Sequence, residues 1–359
     1  MSHPFKMNLL RKNRAMSDVA RANGQDDGAF GRPWWIYRGT GLPQDDVNLA
    51  DRLLDPPHWR RFDGSPVQLR PPDEGVDADR RLGAGRRFAA QPDEHEVDMI
   101  NAALLLRRPL LVTGAPGTGK STLAYQVARE LRLGRVLHWA ITSRTTLSSG
   151  LYGYDAIGRA QAAAARDTTS GIGDFVRLGP LGTALLAYEL PRVLLIDELD
   201  KSDIDLPNDL LHVFEEGEFE IPELVRLRDR EREVAVFTDD PARSAVVVDG
   251  RVRCKAFPFV VITSNKEREF PPAFLRRCLR LEIAPLREDQ LAAIVAAHFG
   301  GADAHGDLIR SFLEHGRDTG LAADQLLNAV YLATSGAYSA DASWLRLLNA
   351  LWQELTAGL

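Results

Sequence analysis

A glycine-rich turn at residues 114–121 constrains the fold of this chain more than any other segment. Its sequence is Gly-Ala-Pro-Gly-Thr-Gly-Lys-Ser, and it joins an apolar run at Pro109–Thr113 to an amphipathic helical pattern at Ser121–Leu131. Glycines let the backbone fold tightly enough for successive N–H groups to point inward at an anion, and the start of the following helix adds a partial positive charge. The order of strand, turn and helix therefore predicts a phosphate-binding loop.

The side chains of this loop suit a nucleoside triphosphate and its magnesium ion. Lys120 is one of six lysines in the chain, and in this position it would bridge the β- and γ-phosphates. Ser121 would hand its hydroxyl to Mg²⁺. The residues expected to bind the nucleoside triphosphate are Gly114, Ala115, Pro116, Gly117, Thr118, Gly119, Lys120, Ser121 and Thr122.

Two acidic residues follow a later apolar strand at Val193–Ile196. Ligands of a parallel sheet bind at the carboxyl ends of its strands, so Asp197 and Glu198 are expected to face the phosphates. Asp197 suits an outer ligand of Mg²⁺, and Glu198 suits the residue that orients and activates the attacking water, which indicates a hydrolase. Asp200 and Lys201, which come after Leu199, are expected to form a local ion pair on a helix surface.

A third apolar strand, Phe259–Thr263, is followed by Ser264 and Asn265. Asn265 could hydrogen-bond both the γ-phosphate and the water held by Glu198, although asparagine also favours turns for local reasons. Arg276 and Arg277 come just before the last strand. In a ring of subunits one of these arginines would reach the neighbour's γ-phosphate. The alternative is that both are exposed or form salt bridges.

Strand and helix patterns alternate between residues 86 and 285, which predicts a parallel α/β sheet with helices on both faces. A hairpin is expected at Arg243–Lys255, because Asp249-Gly250 separates two β-type runs. The expected strands are Pro109–Thr113, Arg135–Ile141, Arg192–Ile196, Phe257–Thr263 and Cys278–Ile283, and the clearest helices are Ser121–Leu131 and Asp205–Glu215.

The two ends of the chain have a different character. Residues 1–85 hold eight of the 20 prolines and three of the six tryptophans, which predicts a partly irregular N-terminal arm. Its most structured part is expected at Trp34–Gly41, packed against this chain's own main domain or docked on a neighbouring subunit or partner. Residues 286–359 carry apolar stripes of helical spacing, from Leu291 to Phe299 and from Trp344 to Leu355, and predict a small helical lid.

Composition excludes several classes of protein. A net charge of −6 makes a nucleic-acid partner unlikely, because phosphate binding requires a basic face. Two cysteines, Cys254 and Cys278, are too few for a disulfide scaffold or a four-ligand zinc site. No apolar run is long enough to span a membrane, and the first residues lack a secretion signal, so a cytoplasmic location is expected.

These motifs, in this order, resemble those of the AAA+ ATPases, and among them the MoxR-like group. Residues 114–121 are similar to Walker A, Leu194–Glu198 to Walker B, Thr263–Asn265 to sensor 1 and Leu275–Arg277 to the arginine-finger segment. Gly173–Leu181 is similar to an insert of the MoxR-like group, and Asp197–Lys201 with Leu210–Ile221 is similar to the signature that follows its Walker B acids. Trp34–Gly41 resembles, more weakly, the N-terminal region of ATPases from bacterial MoxR–vWA conflict systems.

The resemblance implies a P-loop NTPase core of five parallel strands with a helical lid, ATP and Mg²⁺ as cofactors, and assembly into rings, with hexamers as the expected size. It also implies action on a protein client, often one with a von Willebrand A (vWA) domain. One departure concerns sensor 2, a basic residue at the start of the third lid helix. That region reads Gly320-Leu321-Ala322-Ala323-Asp324-Gln325, and the nearest basic residue is Arg317, so either Arg317 substitutes or the lid senses nucleotide weakly.

Three functions are compatible with these features. The leading hypothesis is an ATP-hydrolysing, chaperone-like remodeller that works as a ring on a protein. The alternative is a nucleotide-gated switch with slow turnover in a defence or signalling complex, favoured by the missing sensor 2 and the tryptophan-bearing arm. The third is a nucleic-acid motor or GTP-driven restriction subunit. The sequence disfavours it, because Asn265-Lys266-Glu267-Arg268 lacks the aspartate of a guanine-reading element.

Overall fold

The structure is a computed structural model that describes residues 32–44, 48–83, 93–166, 169–299, 306–316, 322–335 and 342–352. Within these ranges the strands form two sheets. The strands are β1 Leu110–Thr113, β2 Leu137–Ala140, β3 Tyr152–Tyr154, β4 Val176–Leu178, β5 Val193–Asp197, β6 Glu218–Glu220, β7 Glu233–Phe237, β8 Ser244–Val248, β9 Arg251–Arg253, β10 Phe259–Ser264 and β11 Leu279–Glu282.

Helices of the described ranges cover these sheets and form the C-terminal region. They are α1 Leu49–Arg52, α2 Gly75–Leu82, α3 Glu94–Leu106, α4 Thr122–Glu130, α5 Leu147–Leu151, α6 Ala156–Ala164, α7 Pro180–Ala184, α8 Leu206–Glu216, α9 Pro222–Val225, α10 Pro272–Arg277, α11 Glu288–Phe299, α12 Gly306–Gly316, α13 Ala323–Thr334 and α14 Ala342–Leu351. Short 3₁₀ turns lie at His58–Arg60, Ile172–Phe175 and Leu199–Lys201.

The central sheet has five strands in the order β11-β1-β10-β5-β2, and every pairing is parallel. The predicted P-loop NTPase sheet is therefore confirmed. Its register places Thr113 of β1 opposite Ser264 of β10, and Ile262 of β10 opposite Ile196 of β5. Because parallel strands all end at the same edge, the loops that follow β1, β5 and β10 meet there.

Both faces of the central sheet are buried, as expected when side chains alternate along a strand. On β5, Leu194 and Ile196 belong to one apolar core, and Val193 and Leu195 belong to the other. Helices α3 and α4 contribute to the second core, whereas α7 and α8 contribute to the first. The prediction of helices on both faces is confirmed.

The second sheet, with strand order β3-β4-β7-β8-β9-β6, is mostly antiparallel. It contains the predicted hairpin, since β8 and β9 are joined by a turn in which Asp249 and Gly250 have φ of 55° and 71°. The rest of this sheet was not predicted. Its strands are three to five residues long, and β7 is buried only at alternate positions, so their apolar signal is short and weak.

The described part of the N-terminal arm packs against this chain's own core. Trp35, Ile36 and Tyr37 are buried in the apolar core on the α3 and α4 side of the sheet. Asn101 of α3 accepts hydrogen bonds from the backbone N–H groups of Ile36 at 2.7 Å and Tyr37 at 3.0 Å. Trp34 is exposed.

Four helices in the C-terminal region share a small apolar core of their own, which includes Leu291, Ile309, Leu326 and Trp352. This fits a helical lid, while the domain limits proposed from the sequence stay predictions. The boundary near residue 85, the first 31 residues of the arm and Arg317 all lie outside the described residues. Along the parts of the chain that the structure describes, no helix is both long and apolar enough to cross a lipid bilayer.

Candidate nucleotide-binding site

The glycine-rich loop connects β1 to α4 at the carboxyl edge of the central sheet. Gly114, Gly117 and Gly119 have φ of 156°, 76° and 85°, in the region that side chains other than glycine rarely adopt. Space is also restricted, because a Cβ at Gly114 would lie 2.7 Å from the carbonyl oxygen of Ile283. Ala115 and Pro116 are exposed on the loop, whereas Thr118 is buried and donates from Oγ1 to the Ala115 carbonyl at 2.9 Å.

Lys120 lies over this loop. Its side chain is buried, and Nζ donates to the carbonyl oxygens of Gly114 at 3.0 Å and Ala115 at 2.8 Å. Burial lowers the pKa of Lys120, and the negative charges of Asp200, Glu198 and Asp197 oppose this shift. A desolvated ammonium group whose present partners are neutral carbonyls is well placed to bind a phosphate instead.

Asp197, the last residue of β5, is the centre of a polar cluster. Its Oδ1 accepts hydrogen bonds from Ser121 Oγ at 2.6 Å and Thr263 Oγ1 at 2.7 Å, and its Oδ2 lies 3.2 Å from His138 Nε2. Burial acts to raise the pKa of Asp197, but the hydrogen bonds from His138, Ser121 and Thr263 outweigh it and lower the pKa to about 2. The group is therefore a carboxylate at neutral pH, which is the form that binds a cation.

The residues at this point fit a magnesium ion. Mg²⁺ prefers oxygen ligands and is commonly held by one or two protein side chains together with substrate phosphates. The Ser121 hydroxyl and the Asp197 carboxylate provide such oxygens 2.6 Å apart, beside the phosphate loop.

Glu198 follows β5 in an unusual backbone conformation, with φ of 62° and ψ of 49°. A side chain other than glycine costs roughly 1–2 kcal/mol in this left-handed region, so the surrounding contacts must hold it there. The Glu198 N–H donates to Thr263 Oγ1 at 2.8 Å, and its carboxylate accepts from Lys201 Nζ at 2.7 Å. The Glu198 side chain remains about 43% exposed, so a water molecule can reach it.

The expectation for Asp200 and Lys201 was wrong. Asp200 is only 3% exposed and does not pair with Lys201, which instead binds Glu198. Asp200 Oδ2 accepts from the backbone N–H groups of Asn265 at 2.8 Å and Glu267 at 3.1 Å. It therefore joins the turn after β5 to the turn after β10, a contact that requires the two strands to be neighbours.

Asn265 lies directly beyond β10, at the same edge as Glu198. Its side-chain amide is half-buried, with a long contact of 3.4 Å to the Glu267 carboxylate. The sheet thus brings the loop residues, the two acids and Asn265 to one edge.

Arg276 and Arg277 end α10 and make no hydrogen bond to the glycine-rich loop of their own chain among the contacts described. Arg277 binds the Glu215 carboxylate of α8, and the Arg276 side chain is exposed. Arg108 donates to the backbone carbonyls of both arginines and so fixes the end of this helix.

The lid touches the phosphate loop directly. The Ala323 N–H lies 3.4 Å from the Gly117 carbonyl oxygen, and a Cβ at Gly117 would be 2.2 Å from the Cβ of Ala322. The start of α13, where sensor 2 is expected, therefore contacts the loop through small neutral residues. Arg317, the proposed substitute, lies outside the described residues.

Sequence reasoning missed His138, Asp200 and the bridging role of Thr263. His138 was the only polar side chain within the apolar run of β2, and that irregularity was a usable signal. Its meaning depended on β2 pairing with β5, where Ala140 is opposite Asp197, and strand order cannot be read from the sequence.

Residues 109–278 match the family model of the AAA domain, dynein-related subfamily. This range begins just before β1 and ends before β11, so it includes the glycine-rich loop, both acids, Asn265 and the two arginines. Comparison with curated proteins gave no match. The match and the parallel sheet support an AAA+ ATPase with a nucleotide-binding P-loop. They do not distinguish the MoxR-like group from other AAA+ proteins.

Proposed function

We propose that this protein is an ATP-hydrolysing AAA+ remodeller, MoxR-like in type, that works as a ring on a protein client. The observation that carries the proposal is the convergence of Lys120, Ser121 and Asp197 at one edge of the sheet, with Glu198 next to them. A phosphate loop alone would support nucleotide binding. An adjacent exposed carboxylate on a fixed backbone supports hydrolysis as well.

The loop residues bind and orient the triphosphate in this mechanism. Backbone N–H groups of residues 114–122 other than Pro116, together with the start of α4, attract the phosphates, and Lys120 Nζ exchanges its carbonyl partners for phosphate oxygens. Ser121 and Asp197 would hold Mg²⁺, which supplies positive charge to the phosphate oxygens when bound.

Glu198 is the residue proposed to orient the attacking water and accept its proton. Its carboxylate is held from one side by Lys201 Nζ, which leaves its other oxygen for the water. Asn265, across the same edge, is proposed to contact the γ-phosphate or that water. Neither step requires a large movement of the strands, because β5 and β10 are paired along their length.

The proposal that subunits assemble into a ring rests on Arg276 and Arg277. A positive group near the γ-phosphate contributes on the order of 10³–10⁵ in rate when it comes from another subunit. Since Arg277 binds Glu215 and the Arg276 side chain is exposed, with no described contact to the loop of their own chain, we propose that one of them serves the neighbouring subunit's site. AAA domains typically assemble into rings, which supports this arrangement. The hexameric size, a vWA-domain client and a cytoplasmic location are proposals from the sequence resemblance.

The decisive experiment compares Glu198→Gln with the unsubstituted protein in ATP and Mg²⁺. We expect phosphate release to fall by at least about 100-fold, while the affinity for ATP changes little, because glutamine keeps the size of the side chain but cannot accept the proton. Mass measurement with ATP should show the variant in its assembled form. Normal hydrolysis by this variant would contradict the role assigned to Glu198. If the unsubstituted protein did not hydrolyse ATP, that result would contradict the proposed function.

A nucleotide-gated switch with slow turnover is the second candidate. It is favoured by the contact between the lid and the loop, where Ala322 and Ala323 present no charged group to the phosphates. Among the described residues of this contact no side chain is cationic, so hydrolysis would change the position of the lid less strongly. Single-turnover and steady-state rates separate the two functions: client-stimulated cycling supports the remodeller, and one slow event per bound ATP supports the switch.

A further inference from the structure

We infer that Asp200 is a positioning residue for hydrolysis, which sets the relative placement of Glu198 and Asn265. The inference rests on the proposed function, since it concerns the two side chains assigned to the attacking water. Asp200 lies in the 3₁₀ turn Leu199–Lys201, immediately after Glu198, and is 3% exposed.

Two hydrogen bonds from the turn after β10 converge on the Asp200 carboxylate. One carboxylate oxygen of Asp200 accepts from the N–H of Asn265 at 2.8 Å and from the N–H of Glu267 at 3.1 Å. The residue between them, Lys266, has φ of 63°, in the left-handed region. Such a conformation persists only when surrounding contacts hold it, and the two bonds to Asp200 flank it on both sides.

A matching contact runs in the opposite direction, from the turn after β5 to β10. Thr263 Oγ1, from β10, accepts from the N–H of Glu198 at 2.8 Å and donates to Asp197 Oδ1 at 2.7 Å. Glu198 is itself left-handed, with φ of 62°. The end of β10 therefore holds the left-handed Glu198 through Thr263, and the turn after β5 holds the left-handed Lys266 through Asp200. This reciprocal clamp, consisting of Thr263, Asp200 and their partners, defines the distance between the catalytic carboxylate and Asn265.

A further hydrogen bond links the same two turns, because Arg268 Nη1 donates to the Ser202 carbonyl at 2.8 Å. The clamp therefore extends over residues 197–202 on one side and 263–268 on the other. Reactions that depend on oriented groups lose about 100-fold in rate when a group is displaced by about 1 Å. Loosening the clamp should therefore affect the chemical step far more than the binding of ATP, which depends on the loop before α4.

The test compares Asp200→Ala and Asp200→Asn with the unsubstituted chain. We expect the alanine variant to lose about 10- to 100-fold in kcat, with the Kd for a non-hydrolysable ATP analogue within about threefold. The asparagine variant keeps an acceptor for the two amides, although it places an NH₂ group where Oδ1 is buried without a described partner. It should therefore show an intermediate kcat.

A second readout does not depend on activity. Amide hydrogen exchange in a peptide covering residues 264–268 should accelerate in Asp200→Ala, because the Asn265 and Glu267 amides lose their acceptor. The matched control is Asp240→Asn, another buried aspartate, which binds Arg192 at 2.7 Å and lies outside this site. It should lower thermal stability and leave kcat and the exchange of residues 264–268 unchanged.

Three results would overturn the inference or its foundation. An alanine variant with normal kcat would overturn the positioning role. A loss of ATP affinity as large as the loss of kcat in Asp200→Ala, together with a lowered Tm, would show a general structural effect and overturn it as well. Absence of Glu198-dependent turnover in the unsubstituted chain would instead overturn the proposed function, and that measurement precedes all variants of Asp200.

Discussion

Glu130 offers the sharpest test of how the N-terminal arm is attached. It is the last residue of α4, the helix that follows the phosphate loop, and it is fully buried. Its Oε2 accepts from Thr40 N at 2.7 Å, Thr40 Oγ1 at 3.0 Å and Gly41 N at 3.0 Å, and its Oε1 accepts from Arg38 N and from Gln44 Nε2 at 2.9 Å. We predict that Glu130→Gln detaches this part of the arm.

The size of the expected effect follows from the number of hydrogen-bond donors that the Glu130 carboxylate accepts from. A glutamine side chain has one oxygen and one NH₂ group, so in either orientation at least two donors of the arm face another donor. Each lost hydrogen bond to a charged group is worth about 1.5–3 kcal/mol, and the losses are not fully additive. We therefore expect local opening of the arm to become easier by about 2–4 kcal/mol.

Hydrogen exchange of a peptide covering residues 38–44 measures this opening directly. An opening free energy lowered by 2–4 kcal/mol corresponds to exchange that is roughly 30- to 1,000-fold faster. The matched control is Glu220→Gln, an exposed glutamate on β6 that binds Arg251 at 2.7 Å, which should leave the arm unchanged. Acceleration of less than about threefold in Glu130→Gln would refute the idea that this carboxylate fastens the arm.

Three further predictions concern binding, assembly and pH. Lys120→Ala should weaken ATP binding by at least about 10-fold in a calorimetric titration, because it removes the ammonium group that lies over the loop, and unchanged affinity would contradict the phosphate-loop assignment. Alanine at Arg276 or Arg277 should lower kcat while ATP still binds, and mixing that variant with Glu198→Gln should restore part of the turnover; no restoration with either arginine would exclude action in trans. Burial, with a smaller contribution from Asp93, raises the pKa of Glu96 to about 7, so its contribution to stability is lost as the pH rises from about 4.5 to 7. Glu96→Gln should then raise the Tm relative to the unsubstituted chain by about 1–3 °C more at pH 8 than at pH 5, and a pH-independent difference would refute this assignment.

Local sequence signals were sufficient for the elements that form the sheet and its phosphate loop. The five predicted strands agree with the observed strands to within about two residues, because runs such as Phe259–Ile262 are apolar throughout and lie between clear breaks. The glycines of the loop and Lys120 were recognisable for a related reason. The tight backbone turn requires glycines at fixed positions along the chain, so their spacing is visible in the sequence.

The contacts that organise the site were not predictable in this way. Asp200 looked like a surface acid, and His138 an incidental member of a strand, because their partners are about 60 residues away. The packing of the N-terminal arm was not predictable for the same reason. Whether the arm packs on its own core or on a neighbour depended on its contacts with Glu130 and Asn101. The order of residues along this chain determined which groups stand at strand ends and in the loop. Only the tertiary structure decided which of those ends are neighbours, because strand order depends on long-range pairing and packing, and these leave no local pattern in the sequence.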